Sequence, residues 1–263
     1  MSKTSIVPET EFEARRSLAA LYRILDRYGM SDLANQEVGA RIGDQPDHYL
    51  IHRYGLFYDE ITASSLVKVD HQGTPVNSDG SALEESGLTQ GELNDGGLNL
   101  AKWIFGSRPD INYFVHGHCE DIMAVSATQQ GVLPLSQPSV YLGRLIGYLD
   151  YAFLEDERFG QTFMALCRRH DILISHNHGY YCFGRSAKEA FFRAYYLRQS
   201  CVVQVKALSM VGNDHASLRF ISDQRSDGYR AAMAESRDYH YDGETEWGGL
   251  LRWLERHAPE YKD

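Results

Sequence analysis

The chain has 263 residues, 43% apolar and 24% charged, which suits one globular domain of generous size or two small ones. Twenty-six Lys and Arg against 36 Asp and Glu give a formal net charge of −10, which argues against sequence-independent binding to nucleic acid or anionic membrane. No apolar run reaches the roughly 18–20 residues of a membrane span. The opening MSKTSIVPETEFEARR lacks the apolar core of a secretory signal. Cys119, Cys167, Cys182 and Cys201 lie far apart with no CxxC pair and read as reduced thiols. The expectation is a cytoplasmic protein.

The first periodic segment runs from Glu11 to Tyr28. Leu18, Leu21, Tyr22, Leu25 and Tyr28 make one apolar helix face, stopped by Gly29. Tyr49–Ile51 and Leu66–Val69 read as short strands, the second followed by a turn over Asp70–Gly73. A second helix opens at Asn94 or Asp95, buries Leu98, Ala101, the stem of Lys102 and Phe105, and ends at Gly106. Ile111–His116 is a β-rich run and Asp121–Gln130 is expected to be helical. Asp171–Ser175 and Tyr180–Phe183 are strands hinged by Gly179. Ser186–Glu189 has the pattern of a capping box and introduces a long helix with Ala190, Ala194, Leu197, Cys201 and Leu208 on one stripe. Residues 1–10 read as an extension, 11–215 as the main domain and 216–263 as a tail. The tail is polar from Arg225 to Asp242 and amphipathic from Trp247 to His257. It is expected to pack on the domain or on a neighbouring subunit, with Trp247 and Trp253 exposed for a partner. Irregularly interleaved helices and strands imply an α/β or α+β chain with a central mixed sheet.

Four of the eleven histidines fall in two matching words, His116-Gly117-His118 and His176-Asn177-His178. Residues i and i+2 of a strand project from one face, so each word aims two imidazoles at the same side of a sheet. Two such strand ends that converge suit Zn²⁺, and also Fe²⁺ or Mn²⁺. If the strand continues past His118, the same spacing adds the carboxylate of Glu120, as a ligand or an acid/base. If the chain has turned into a helix, Glu120 belongs to its first turn. Arg53 and Tyr54, with His52, follow a strand and are candidates to line the same cleft, Arg53 gripping a substrate carboxylate. Tyr141 and the tail tyrosines Tyr229, Tyr239 and Tyr241 are candidate proton donors.

From Tyr22 to about Leu208 the chain resembles the class II aldolase/adducin family. The resemblance rests on Glu60–Asp70 (EITASSLVKVD), Arg108-Pro109-Asp110, His116-Gly117-His118, Ala124–Ala127, Asn177-His178-Gly179 and Ala187–Phe191, in that order. The stretch from Glu246-Trp247 to Pro259–Tyr261 is similar to the ending of bacterial adducin-like members. The resemblance implies a three-layer α/β/α sandwich on a mostly antiparallel sheet, a homotetramer, and a divalent metal held by His116, His118 and His178. It leaves His176 as a fourth ligand or a surface residue.

Two departures from the family pattern narrow the chemistry. The position of the acid/base Glu of the sugar-phosphate aldolases is Gly97 here, with Asp95 two residues earlier. The stretches that match the family's phosphate cradle are Gln36-Glu37 and Tyr54-Gly55, and Glu37 repels a phosphate. The expected function is therefore a metal-dependent carbon–carbon lyase for a small non-phosphorylated oxo- or hydroxy-acid, with zinc first and iron or manganese as alternatives. A non-heme iron oxygenase on the same three histidines and a non-catalytic adducin-like assembly module remain open.

Overall fold

The computed structural model describes residues 9–77, 79, 81, 93–152, 157–212, 214–235 and 243–263. The first helix, α1 (Glu11–Arg27), begins at a reciprocal cap. Thr10 accepts from the Glu13 backbone N–H, and the Glu13 carboxylate accepts from the Thr10 N–H at 2.9 Å. Its apolar stripe is buried as the periodicity requires, and the chain leaves it through Gly29 in the left-handed region, φ 60°. Then follow β1 (Glu37–Ile42), β2 (Gln45–Ile51), β3 (Val67–Asp70), α2 (Asp95–Ser107), β4 (Tyr113–Gly117), α3 (Glu120–Ser126), α4 (Gln137–Leu142) and β5 (Ile146–Asp150). The remainder is α5 (Glu157–Cys167), β6 (Ile172–His176), β7 (Gly179–Gly184), α6 (Ala187–Val211), α7 (Asp223–Glu235) and α8 (Glu244–His257).

The seven strands form one sheet in the order β3-β2-β1-β4-β7-β6-β5, antiparallel at every step except β5–β6. Alternation along the strands divides the core in two. Val38, Val115, Ile174 and Cys182 pack with α1, α3 and α6, while Phe114, Leu173, Tyr181 and Phe183 pack with α2 and α5. Each large side chain so enclosed contributes roughly 1.5–3 kcal/mol of transfer free energy. The result is the α/β/α sandwich on a mostly antiparallel sheet.

Several local readings are corrected by the fold. The helix capped by Asn94 buries Leu100, Ala101, Ile104 and Phe105, whereas Leu98 and Lys102 are half-buried, and it runs one residue past Gly106. The helix expected over Asp121–Gln130 is only Glu120–Ser126. Ser186 caps α6, but the Glu189 carboxylate accepts from the Arg185 N–H at 2.7 Å and from both the Arg185 and Arg193 guanidinia, so the reciprocal half of the box is absent. The tail is helical over α7, which packs on α4, and α8 sets Leu250 and Leu254 against α1 and α6. Tyr239 and Tyr241 lie outside the described residues. Trp247 and Trp253 are half-buried against the chain's own core, and Trp253 lies under the Arg27 guanidinium at 3.9 Å. All four cysteines are free and buried. No described helix is long and apolar enough to cross a membrane.

Candidate metal centre

The sheet order explains why two distant histidine words meet. β4 and β7 are neighbours with Gly117 opposite Tyr180, so the end of β4 lies beside the tight turn that joins β6 to β7. His116 is on β4, His118 directly follows it, and His178 sits on the turn, where Asn177 takes the left-handed conformation at φ 59°. Glycine is required at both flanks. A Cβ on Gly117 would stand 2.7 Å from the Tyr180 hydroxyl, and one on Gly179 would overlap the Gly117 carbonyl and reach 2.8 Å from the His118 ring.

One nitrogen from each of His116, His118 and His178 lies within 4.8 Å of the others, and the His118 and His178 Nε2 atoms are 3.4 Å apart. The outward nitrogens are engaged elsewhere. His116 Nδ1 is 2.9 Å from the Tyr180 carbonyl, to which it can only donate, and His118 Nδ1 is 3.2 Å from Asp32 Oδ2. An Nδ1–H committed in this way leaves the Nε2 lone pair free to face a cation, the orienting arrangement common to metal-binding histidines. Gln36 sets the Asp32 loop. With its amide oriented to suit its partners, it donates to the Met30 carbonyl at 2.8 Å and accepts from the Asp32 N–H at 2.9 Å. Two rings are braced by aromatics: His116 stacks on Tyr181 at 4.3 Å and His178 on Tyr151 at 4.4 Å. Burial lowers the pKa of His116 well below the ordinary imidazole value, helped by His118 and His178. Burial, then His118, lowers His178 to about 4. Neutral imidazoles are the form that binds a metal.

A second buried group lies next to His116 on the neighbouring strand. Glu37 on β1 pairs with His116 across the antiparallel ladder, so their side chains share a face. Its carboxyl is enclosed and raised to about 8 by burial, against a side-chain hydrogen bond from Asn94 that lowers it. His52 Nδ1 lies 3.5 Å from Glu37 Oε2 and 3.0 Å from the Tyr22 hydroxyl, and burial lowers its pKa to about 4. Both shifts favour the uncharged forms, so the pair is a carboxylic acid beside a neutral imidazole rather than an ion pair. Glu37 Oε1 and His52 Nε2 have no hydrogen-bond partner among the described residues.

The other expected site residues separate. Glu120 does not continue the strand: β4 stops at Gly117 and Glu120 is the first residue of α3, where its charge suits the helix N-terminus. It nevertheless lines the cavity of about 690 Å³ that holds His118, His178, Asp32 and Arg198. Arg53 and Tyr54 line a different cavity of about 1000 Å³ with Arg15, Lys68 and Asp263, because after β2 His52 turns inward and the following residues turn away. Tyr141, on α4, packs half-buried against the main core. His176 lies outside the three-histidine group: its Nδ1 is 3.0 Å from the Ser126 carbonyl, to which it donates, and its ring stacks on Tyr148. Tyr151, Asp32 and Arg198 were not legible as site residues, since each is brought in by tertiary packing. Arg108 of the Arg-Pro-Asp word is architectural: it binds Asp110, Asp171 and the Cys167 carbonyl.

The three-layer sandwich thus presents three clustered imidazoles where a strand end meets a hairpin, a nitrogen set that suits a divalent metal. The chain belongs to the class II aldolase and adducin N-terminal domain family, whose model matches residues 16–205. It is 34% identical over 266 residues to a Caulobacter vibrioides protein with a provisional class 2 aldolase name, covering 100% of this chain and 97% of that one. It is also 34% identical over 249 residues to rat (Rattus norvegicus) alpha-adducin, covering 92% of this chain but 33% of the adducin. An aldolase II superfamily protein from Pseudomonas syringae superimposes with a TM-score of 0.84 at 30% identity, over 100% of this chain and 99% of that one. The L-fuculose 1-phosphate aldolase of Glaciozyma antarctica PI12, at 19% identity and TM-score 0.78 over 96% of this chain and 93% of that one, shares the fold.

Proposed function

We propose that this protein is a zinc-dependent carbon–carbon lyase, of the aldolase or decarboxylase type, for a small non-phosphorylated oxo- or hydroxy-acid. The observation that carries this reading is the set of three imidazoles with Nδ1 of His116 and His118 tied to Tyr180 and Asp32 and one nitrogen from each of the three rings within 4.8 Å of the others. His116, His118 and His178 would hold the ion. When bound it acts as a Lewis acid on a substrate carbonyl or hydroxyl, with iron or manganese as alternatives in the same nitrogen set.

The chain's own residues favour a weakly charged substrate. Asp32, Glu120 and Asp121 line the cavity, and Arg198 is the one permanent cation among its described lining residues. Arg198 can engage a single carboxylate, the task expected of Arg53, whereas a phosphate dianion meets a largely acidic wall. Glu120, exposed on the cavity wall, would exchange protons with solvent. A homotetramer is part of the reading, and light scattering at micromolar concentration should give a multiple of the 29.9 kDa chain mass. A monomeric mass would remove it.

The competing assembly-module reading is favoured by the adducin similarity and by Gly97. The two separate on turnover: zinc-loaded protein against a panel of 2-oxo- and hydroxy-acids, with His118→Ala as the control. Cleavage that the His118→Ala change abolishes supports the lyase. No cleavage of any member by an intact, zinc-loaded protein would favour the module.

A further inference from the structure

Gly97 lies on α2 directly over β1, and a Cβ built there would overlap the Glu37 carboxylate from both oxygens to Cδ. The space that any side chain at position 97 would occupy is therefore filled by a carboxylate from another element. That carboxylate is buried, shares its face with His116 across the β1–β4 ladder, and leaves Oε1 without a hydrogen-bond partner among the described residues. An unsatisfied buried carboxyl oxygen costs stability, and such a cost persists where the group has another task. Gln36 and Asn94 on either side are neutral, and His52 is held by Tyr22, so among the described residues no cation is shown against Glu37.

We propose that Glu37 is the proton-transferring group of the three-histidine site, delivering from β1 the carboxyl that α2 does not supply at Gly97. This rests on the lyase reading. In the cleavage direction the Glu37 Oε–H bond breaks and a C–H bond forms at the carbon that keeps the electron pair of the broken C–C bond, while the other fragment leaves as CO2 or, in an aldol cleavage, as a carbonyl compound whose hydroxyl has released its proton to solvent. The carboxylate left behind recovers its proton from solvent. In reverse, Glu37 takes a proton from the carbon next to the carbonyl, and the C–H electron pair moves toward the carbonyl oxygen. His52, whose Nδ1 lies 3.5 Å from Glu37 Oε2, packs beside the carboxyl.

The test is deuterium exchange from D2O into the methyl group of pyruvate, followed by NMR on the zinc-loaded full chain. Zinc content and thermal midpoint are measured on every variant. Glu37→Gln should lower exchange roughly 10²–10⁴-fold, the usual loss for a positioned acid/base, with zinc stoichiometry unchanged. Glu37→Ala/Gly97→Glu, which returns the carboxylate to α2, should recover at least about tenfold over Glu37→Ala alone. Gly97→Ala should lower the thermal midpoint in the wild-type background but not in Glu37→Ala, where helix propensity then favours alanine over glycine. Exchange by zinc-loaded Glu37→Gln within about threefold of wild type, or a wild type that binds zinc but does not exchange, overturns the role of Glu37 alone. A wild type that takes up no zinc overturns the lyase reading and the Glu37 role with it.

Discussion

Replacing Glu37 with glutamine should change stability in a way that depends on pH with a definite sign. The carboxyl titrates near 4.5 in an unfolded chain and at about 8 in the fold, because burial disfavours its charge. Between those values the unfolded chain has released a proton that the native chain keeps. The unfolded state binds fewer protons there, so native stability falls as pH rises from 4.5 to 8. At about 1.4 kcal/mol per pK unit, the full contribution is about 5 kcal/mol by pH 8, an upper bound that structural relaxation will reduce to a few kcal/mol. His52 acts in the opposite direction, since its folded pKa of about 4 makes stability rise with pH from 4 to 6.5. Glutamine keeps the shape and the contact with His52, so the difference between variant and wild type isolates the carboxyl. Urea unfolding of EDTA-treated protein at pH 5, 6, 7 and 8 measures it. The Glu37→Gln protein should match wild type near pH 5 and exceed it increasingly to pH 8. A difference that stays constant across this range would show that Glu37 is ionised, or paired, in the native state.

Gly179→Ala sets a methyl group against the Gly117 carbonyl and the His118 ring. It should cost roughly 1–3 kcal/mol in thermal or urea unfolding and, by displacing His118, weaken zinc affinity about 10–100-fold in a chelator competition. Fuculose, rhamnulose and ribulose phosphates should not be cleaved by zinc-loaded protein, because the cavity wall is acidic. Turnover above about 1 s⁻¹ on any of them would show that the acidic wall does not exclude a phosphate.

Much of the sandwich was legible because its elements carry strong local signals. The stripe of α1, the cap at Asn94 and the apolar runs of β4, β6 and β7 need no tertiary information. β1 was missed for a physical reason. Its sequence EVGARI carries two charged residues that alternation would send to solvent, yet Glu37 is buried and Arg41 half-buried. Glu37 lies beside His116, and Arg41 donates to the carbonyls of Phe105, Ile111 and Pro46. β5 and α4 were missed because each is short, five and six residues. The three imidazoles were readable from two spaced words at strand ends, but the same-face argument holds only for the first word: His178 sits on the turn, and His176 is turned to the Ser126 carbonyl. Asp32, Arg198 and Tyr151 were not, because each reaches the site only through packing of elements far apart in the chain. Glu37 was visible as a residue hostile to phosphate. That it fills the space over Gly97 required the β1–α2 contact.

Whether His116, His118 and His178 hold a catalytic divalent ion is decided on the metal itself. Protein purified without added metal should be analysed for metal content, and its X-ray absorption fine structure recorded beside that of His118→Ala and His178→Ala. The expected result is about one zinc per chain with nitrogen neighbours at about 2.0–2.1 Å, lost from either variant. Iron in that place would keep the site but move the chemistry to the oxygenase alternative. A protein that stays folded, refuses zinc when it is offered, and behaves as its histidine variants do would contradict a metal centre at these three histidines.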